Sequence, residues 1–229
     1  MKLPPSQIQT EPWVAEQEWT VDGLPVLTAS ITLPRPVPVS GRAALRISRF
    51  YRLQARSFLR YCEHWLLPHA KAAHQSALAS SSPLCCFRAT LDHQITYNEN
   101  ELWSLYTRSY EVLPSGHFFL MQHGDTWDLR SGYPASLASF FPPRSHWRKQ
   151  LLSFVEEEIL QQETSGISAY APHWKYSLRR HFNSKNFYLT ENGLAIFFPM
   201  NSIAPSAERI PTFLIPYEKL SDFSPHNGK

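Results

Sequence analysis

Apolar and polar positions alternate most strictly between Cys85 and Tyr97. Cys85, Phe87, Ala89, Leu91, His93, Ile95 and Tyr97 fall on one side, and Cys86, Arg88, Thr90, Asp92, Gln94 and Thr96 on the other. A period of two with one apolar side predicts a strand whose second face is wet. Asn98-Glu99-Asn100 supplies a turn, and Glu101 to Val112 is expected to return antiparallel. His117 to Leu129 reads as another strand, followed by the turn Arg130-Ser131-Gly132. Upstream, two apolar runs flank Asp22-Gly23 within Val21 to Leu33 and predict one or two strands. Pro34, Pro36 and Pro38 then enforce an extended link. Residues 1–19 are polar and read as a partly disordered lead.

The period changes to helical from Gly41 to about Ser80. At 100° per residue, Ile47, Phe50, Tyr51, Phe58, Tyr61, Cys62 and Trp65 form one broad apolar face. Pro68 is expected to end or kink this helix. After a short turn near Leu137 to Phe141, Ser145 is placed as the N-cap of a second helix reaching about Thr164 and closed by Gly166. Trp147, Leu151, Phe154, Val155 and Ile159 are its expected buried stripe, and a short helix follows from Pro172 toward Phe182.

The chain closes on Asn186 to Leu220, which reads as a hairpin, a Pro-punctuated loop and a third strand. A type I′ turn at Asn192-Gly193 would pair Glu191 with Leu194, Leu189 with Ile196 and Phe187 with Phe198. Phe187, Leu189, Leu194, Ile196 and Phe198 would then share a buried face. Pro211 and Pro216 bracket the apolar run from Ile210 to Ile215, which suits an edge strand. Strand, long helix, antiparallel strands, helix, hairpin, strand is an α+β order.

This closing segment carries a family resemblance. Tyr188, Gly193, Leu194, Phe198, Ile203, Ala204, Pro205, Pro211, Ile215, Pro216 and Tyr217 match a pattern that resembles the extracellular C-terminal end of RsiV-type anti-sigma factors. The same module accompanies PdaC-type peptidoglycan deacetylases of Gram-positive bacteria. Trp127-Asp128-Leu129-Arg130-Ser131-Gly132 is similar to the family's aromatic-Asp-Leu-x-x-Gly turn, which makes Asp128 and Gly132, with Asn192 and Gly193, motif positions. Where family members often carry Gly-Gly-Ala-His-Gly, this chain has Pro114-Ser115-Gly116-His117-Phe118, and only the His matches. The resemblance implies an α+β fold of two small modules, antiparallel sheets packed with a long N-terminal helix and a second helix. They would be an N-terminal module at 20–110 and a C-terminal module at 111–229 resembling a subdomain of the Hsp70-type ATPase fold. By resemblance, the RsiV-type module is a receptor for C-type lysozyme, and ligand binding exposes a protease site that releases a sigma factor.

Composition narrows this further. At 229 residues with 43% hydrophobic and 14% aromatic content, the chain has ample material for a packed core. A formal charge of +3 is too weak to demand nucleic acid. Leu194 to Met200 is far too short to span a bilayer. MKLPPSQIQTEPW has no apolar core of signal-peptide length, which places the chain in the cytoplasm, whereas its relatives by resemblance work outside the cell. Three cysteines leave at least one free thiol, in keeping with a reducing compartment.

Candidate chemistry is sparse. No nucleophile elbow, phosphate loop or dinucleotide fingerprint occurs. His64, His69 and His74, each turned about 140° from the last on a helix, cannot converge on one metal ion. His117, His123, Asp125 and Asp128 lie close in sequence, but Asp128 has the opposite strand parity, so a turn-capping Asp128 and a partly buried His117 are expected. The strongest non-core feature is Arg42, Arg46, Arg49, Arg52, Arg56 and Arg60, which fall within about a 120° sector opposite the aromatic face. With no intervening acid they form a cationic strip of about 27 Å at 1.5 Å per residue.

These observations lead to a non-enzymatic binding module without cofactor or metal, with ligand contacts at the six arginines and His117. The expected partner is a protein such as lysozyme or a cell-wall ligand. The alternatives are an accessory protein to a cell-wall glycan hydrolase or deacetylase, and a cytoplasmic regulator using the arginine strip on an anionic partner.

Overall fold

The computed structural model describes residues 7–39, 41–84, 86–113, 116–167, 169–205, 210–220 and 223–224. Cys85, which begins the predicted strand, and Pro114 and Ser115 of the His117 motif lie outside the described residues. In chain order the elements are β1 (Thr10–Val21), β2 (Leu24–Pro36), α1 (Gly41–Tyr61), a π-turn (Cys62–Leu66), α2 (Leu67–Ala79), β3 (Phe87–Glu99), β4 (Leu102–Val112), β5 (Phe118–Asp128) and β6 (Tyr133–Pro134). A 3₁₀ turn (Leu137–Phe140), α3 (Trp147–Thr164), α4 (Trp174–His181), β7 (Phe187–Thr190), β8 (Gly193–Phe197), β9 (Thr212–Pro216) and a last 3₁₀ turn (Tyr217–Lys219) complete it. The fold is α+β, with a six-stranded sheet ordered β1 to β6 and a three-stranded sheet ordered β7-β8-β9.

The chain divides into two compact units that interleave in sequence. One comprises Gln9–His93 and Thr107–Leu120; the other comprises Met1–Ile8, Gln94–Tyr106 and Met121–Lys229. The sequence reading drew a single boundary at 110/111.

In the unit containing the long helix, β1 and β2 form an antiparallel hairpin through Asp22-Gly23. Both turn residues have positive φ, 51° and 78°, the geometry of a type I′ turn. The supposed polar lead is thus largely a strand. Trp13, Ala15, Trp19 and Val21 carry its period-two signal, which charged neighbours and a register shift at Trp19/Thr20 obscure. A second departure is β2 against β3: Leu27 to Ile31 pair with Phe87 to Leu91 in parallel. Parallel strands need a long crossover, and here it holds both helices.

The helical crossover buries Ile47, Tyr51 and Phe58 as the 100° reading requires, with Ala44 and Ala55 beside them, and leaves Phe50 half-buried. It then departs from that reading. Pro68 lacks an N–H, so the His64 carbonyl loses its α-helical donor. The preceding turn widens to π geometry, with the Leu67 N–H donating to the Cys62 carbonyl. The buried line continues as Cys62, Leu66, Ala70 and His74, four residues apart. Trp65, expected on the apolar face, is 66% exposed as a result, and Tyr61 is 38% exposed.

The other unit packs α3, α4 and the three-stranded sheet around one core. Leu151, Val155 and Ile159 of α3, Leu178 of α4, Leu189, Leu194, Ile196 and Phe198 meet Tyr97, Leu102 and Phe140 there. Trp147 and Phe154 pack at its margin, half-buried. His146, not Ser145, occupies the N-cap of α3, and the Ser145 hydroxyl makes no hydrogen bond.

The closing hairpin exists with a shifted register. Phe187 pairs with Ile196, Leu189 with Leu194 and Thr190 with Gly193, so the two-residue loop is Glu191-Asn192. Moving each pairing by two positions keeps parity, and the predicted apolar face stays buried. Neither Asn192 nor Gly193 has positive φ. Gly193 is required for a different reason: a Cβ there would meet the Ile215 carbonyl oxygen at 2.2 Å. β9 is an edge strand with Phe213 and Ile215 inward and Thr212 and Leu214 outward. Gly124 serves close approach too, since its Cβ would lie 2.0 Å from the Phe187 carbonyl oxygen. The Ser104 hydroxyl accepts the Leu189 N–H at 2.9 Å and shares a proton with Thr126 Oγ1 at 2.7 Å.

Candidate functional site

α1 is built from good helix formers, alanine, leucine, arginine and glutamine, so its exposed face is free to carry charge. All six predicted arginines, Arg42, Arg46, Arg49, Arg52, Arg56 and Arg60, are exposed. No Asp or Glu occurs in Gly41–Tyr61. Among the described residues, Arg42, Arg49, Arg52, Arg56 and Arg60 form no ion pair, while Arg35, Arg130 and Arg179 are taken by Glu11, Glu101 and Glu156. Glu156 on α3 thus answers to Arg179 on α4. Leu45 and Leu53, each 52% exposed, fall at the same helical angles as the arginines. The face is cationic with two apolar studs.

The same helix forms one wall of a pocket of about 220 Å³, the others being β1 and β2. Trp13, Leu33, Pro34, Val39 and Tyr51 line it, with Ser48, Arg35 and Arg52. Sequence reading left Trp13 unassigned and passed over Ser48. The signal was there: Ser48 is a hydroxyl on the face that otherwise carries Ala44, Ile47, Tyr51 and Ala55.

A buried polar group lies near the π-turn. The Tyr61 hydroxyl donates to Glu111 Oε2 at 3.1 Å. Burial pushes the Glu111 carboxyl above the ordinary range, against the pull of that hydrogen bond. Burial and then Glu111 push the Tyr61 phenol up to about 12 and the Cys62 thiol up to about 12. A thiol so raised is a poor nucleophile.

His117 stands exposed before β5, its carbonyl accepting the Leu113 N–H at 2.9 Å, which corrects its expected partial burial. His123 Nε2 lies 3.2 Å from Oδ1 of the buried Asp125. That hydrogen bond raises the His123 pKa, with burial and Lys185 opposing it. Asp128 caps its turn, accepting from the Arg130 N–H and the Ser131 hydroxyl at 2.9 Å, while the Gly132 N–H donates to the Asp128 carbonyl at 2.7 Å. Among the described residues no three His, Cys, Asp or Glu side chains gather as a metal site, and His74 is buried away from His64 and His69, which are exposed.

The Tyr217 hydroxyl donates to the Thr190 carbonyl at 2.8 Å, and burial raises its pKa. The Pro211 carbonyl accepts the Phe198 N–H at 2.9 Å, Pro216 ends β9, and Pro205 is exposed. No described helix is long and apolar enough to cross a membrane.

Residues 138–218 match the profile of a family described as a protein of unknown function (DUF3298). A comparison with curated proteins finds no match. A solved member of the DUF3298 family from Bacteroides fragilis NCTC 9343 is similar in fold, with TM-score 0.69 and 13% identity over 96% of this chain and 94% of that one. A DUF3298 family protein from Pseudomonas aeruginosa PAO1 gives TM-score 0.61 and 14% identity over 96% of each chain.

Proposed function

We propose that this chain is a non-catalytic binding module whose working surface is the exposed face of α1, and that its ligand is an acidic segment of another protein. The observation that carries this reading is the row of six exposed arginines with Leu45 and Leu53 set among them. Guanidinium forks pair with carboxylates through two parallel hydrogen bonds. The two leucines ask for apolar groups between the acids, which a bare phosphate backbone does not present. The DUF3298 match is compatible with a binding role, and the resemblance to RsiV-type proteins adds C-type lysozyme or a wall fragment as specific ligands to try.

Calorimetry of the full chain tests this with four probes: an acidic peptide carrying spaced leucines, a DNA duplex, lysozyme and muropeptides. The acidic peptide binds, its affinity falls with added salt, and Arg49→Glu with Arg56→Glu weakens it at least about tenfold. Peptide binding that ignores the double substitution overturns the reading. Tighter binding of the duplex moves the partner to nucleic acid. Lysozyme or muropeptide binding indifferent to the arginines returns the function to the RsiV-type surface.

A further inference from the structure

The pocket between α1 and the β1–β2 hairpin is a chemical feature that the arginine row does not use. Its walls are the indole of Trp13, the buried Leu33 and the buried ring of Tyr51. On its α1 wall sits the Ser48 hydroxyl, in a residue 8% exposed that makes no hydrogen bond within the described chain. That hydroxyl is itself covered, so Ser48 shapes the wall of the pocket and is not a contact for a ligand. Arg52 lines the same space, exposed and outside any ion pair among the described residues, while Arg35 beside it is held by Glu11 at 3.0 Å. One cation is therefore committed and the other is open.

Size narrows the occupant. A dry apolar cavity of about 150 Å³ suffices for benzene, and the volume here is about 220 Å³. The surplus accommodates a short arm on one ring. We propose that this pocket binds a small aromatic monocarboxylate: the ring lies between Trp13, Leu33 and Tyr51, and the carboxylate reaches the Arg52 guanidinium at the rim. Aromatic rings pair with Trp and Tyr in tilted or offset arrangements, and a carboxylate accepts two parallel hydrogen bonds from a guanidinium. This site goes beyond the acidic-peptide reading, although Arg52 belongs to both.

The test is direct binding of phenylacetate to the full chain by calorimetry and by chemical-shift changes. 2-Phenylethanol, its uncharged relative, and acetate, which lacks the ring, are run beside it. Phenylacetate binds at one saturable site at least about tenfold more tightly than either. Arg52→Gln removes the advantage over 2-phenylethanol, leaving the two within about twofold. Ser48→Leu fills the cavity and Val39→Trp closes its rim, and each abolishes phenylacetate binding. Because Val39 is 44% exposed, its substitution keeps the test open if Ser48→Leu fails to fold. Equal binding of acid and alcohol sinks the carboxylate assignment, and no saturable binding, or binding that survives both blocking variants, sinks the site. Loss of phenylacetate binding in Val39→Trp with the acidic peptide still bound separates the pocket from the arginine row. Loss of peptide binding alone in Arg49→Glu with Arg56→Glu fails the row and spares the pocket.

Discussion

Replacing Gly193 by alanine isolates one physical cause. The residue has no positive φ, so alanine meets no backbone penalty there. Its Cβ meets backbone instead: the Ile215 oxygen at 2.2 Å, the Ile215 carbonyl carbon at 2.9 Å and the Pro216 Cα at 3.1 Å. None of these can rotate away as a side chain would. Normal contact requires β8 and β9 to separate by at least about 1 Å, and a strand pair so strained loses ladder hydrogen bonds. Overpacking at about 1–3 kcal/mol and a weakened bond at about 1 kcal/mol together make about 3 kcal/mol. For a chain of this size that lowers Tm by roughly 6–12 °C, which urea titration and thermal melting both read. Asn192→Gly is the control: in a type I′ turn it would be neutral or stabilising, whereas here it costs about 0.5–1 kcal/mol. If Gly193→Ala costs less than about 1 kcal/mol the close approach is refuted, and if Asn192→Gly stabilises, the hairpin has the type I′ register read from sequence.

Ser104→Ala orphans the Leu189 N–H in a dry site and costs about 1–3 kcal/mol in urea titration; an unchanged midpoint would mean that the hydroxyl is dispensable. Glu111 has a folded pKa above its unfolded value, so its contribution is full below the ordinary carboxylate pKa and is lost as pH rises through the raised value. Glu111→Gln therefore flattens that fall and stabilises the protein at neutral pH, and a variant less stable at neutral pH contradicts the sign. His123 is raised by Asp125, so its contribution is present below the ordinary histidine value and fades as pH climbs past the raised one. His123→Gln should remove that slope from melts across the range, and a slope left intact assigns it elsewhere.

How far the sequence could be read depended on whether the deciding contact was local. Phe87 to Tyr97, α1 and the inward face of the closing hairpin follow from periodicity, because their neighbours along the chain already specify which side is dry. β1 was hidden because an exposed edge strand needs few apolar residues, and its tryptophans stand among three acids. The π-turn was hidden because Pro68 announces a missing donor without saying whether the chain kinks or widens. Gly193 was assigned to a turn because Asn-Gly is a strong hairpin signal, while its true constraint comes from Ile215, far along the chain. The arginine row was fully legible, being periodic on one helix. The pocket was not, since Trp13, Leu33 and Ser48 come from three elements.

The interleaved units carry a lesson for expressing pieces of this protein. A stretch trimmed to 138–218, the part that sequence profiles detect, would leave behind Tyr97, Leu102 and Leu220, which line its core, and the Ser104 hydroxyl that holds Leu189. Such a fragment should emerge sticky and loosely ordered, and adding back residues 121–137 alone would not mend it. Recognisable kinship and self-sufficiency part company here, because the smallest autonomous species must reach back across the β3–β4 hairpin.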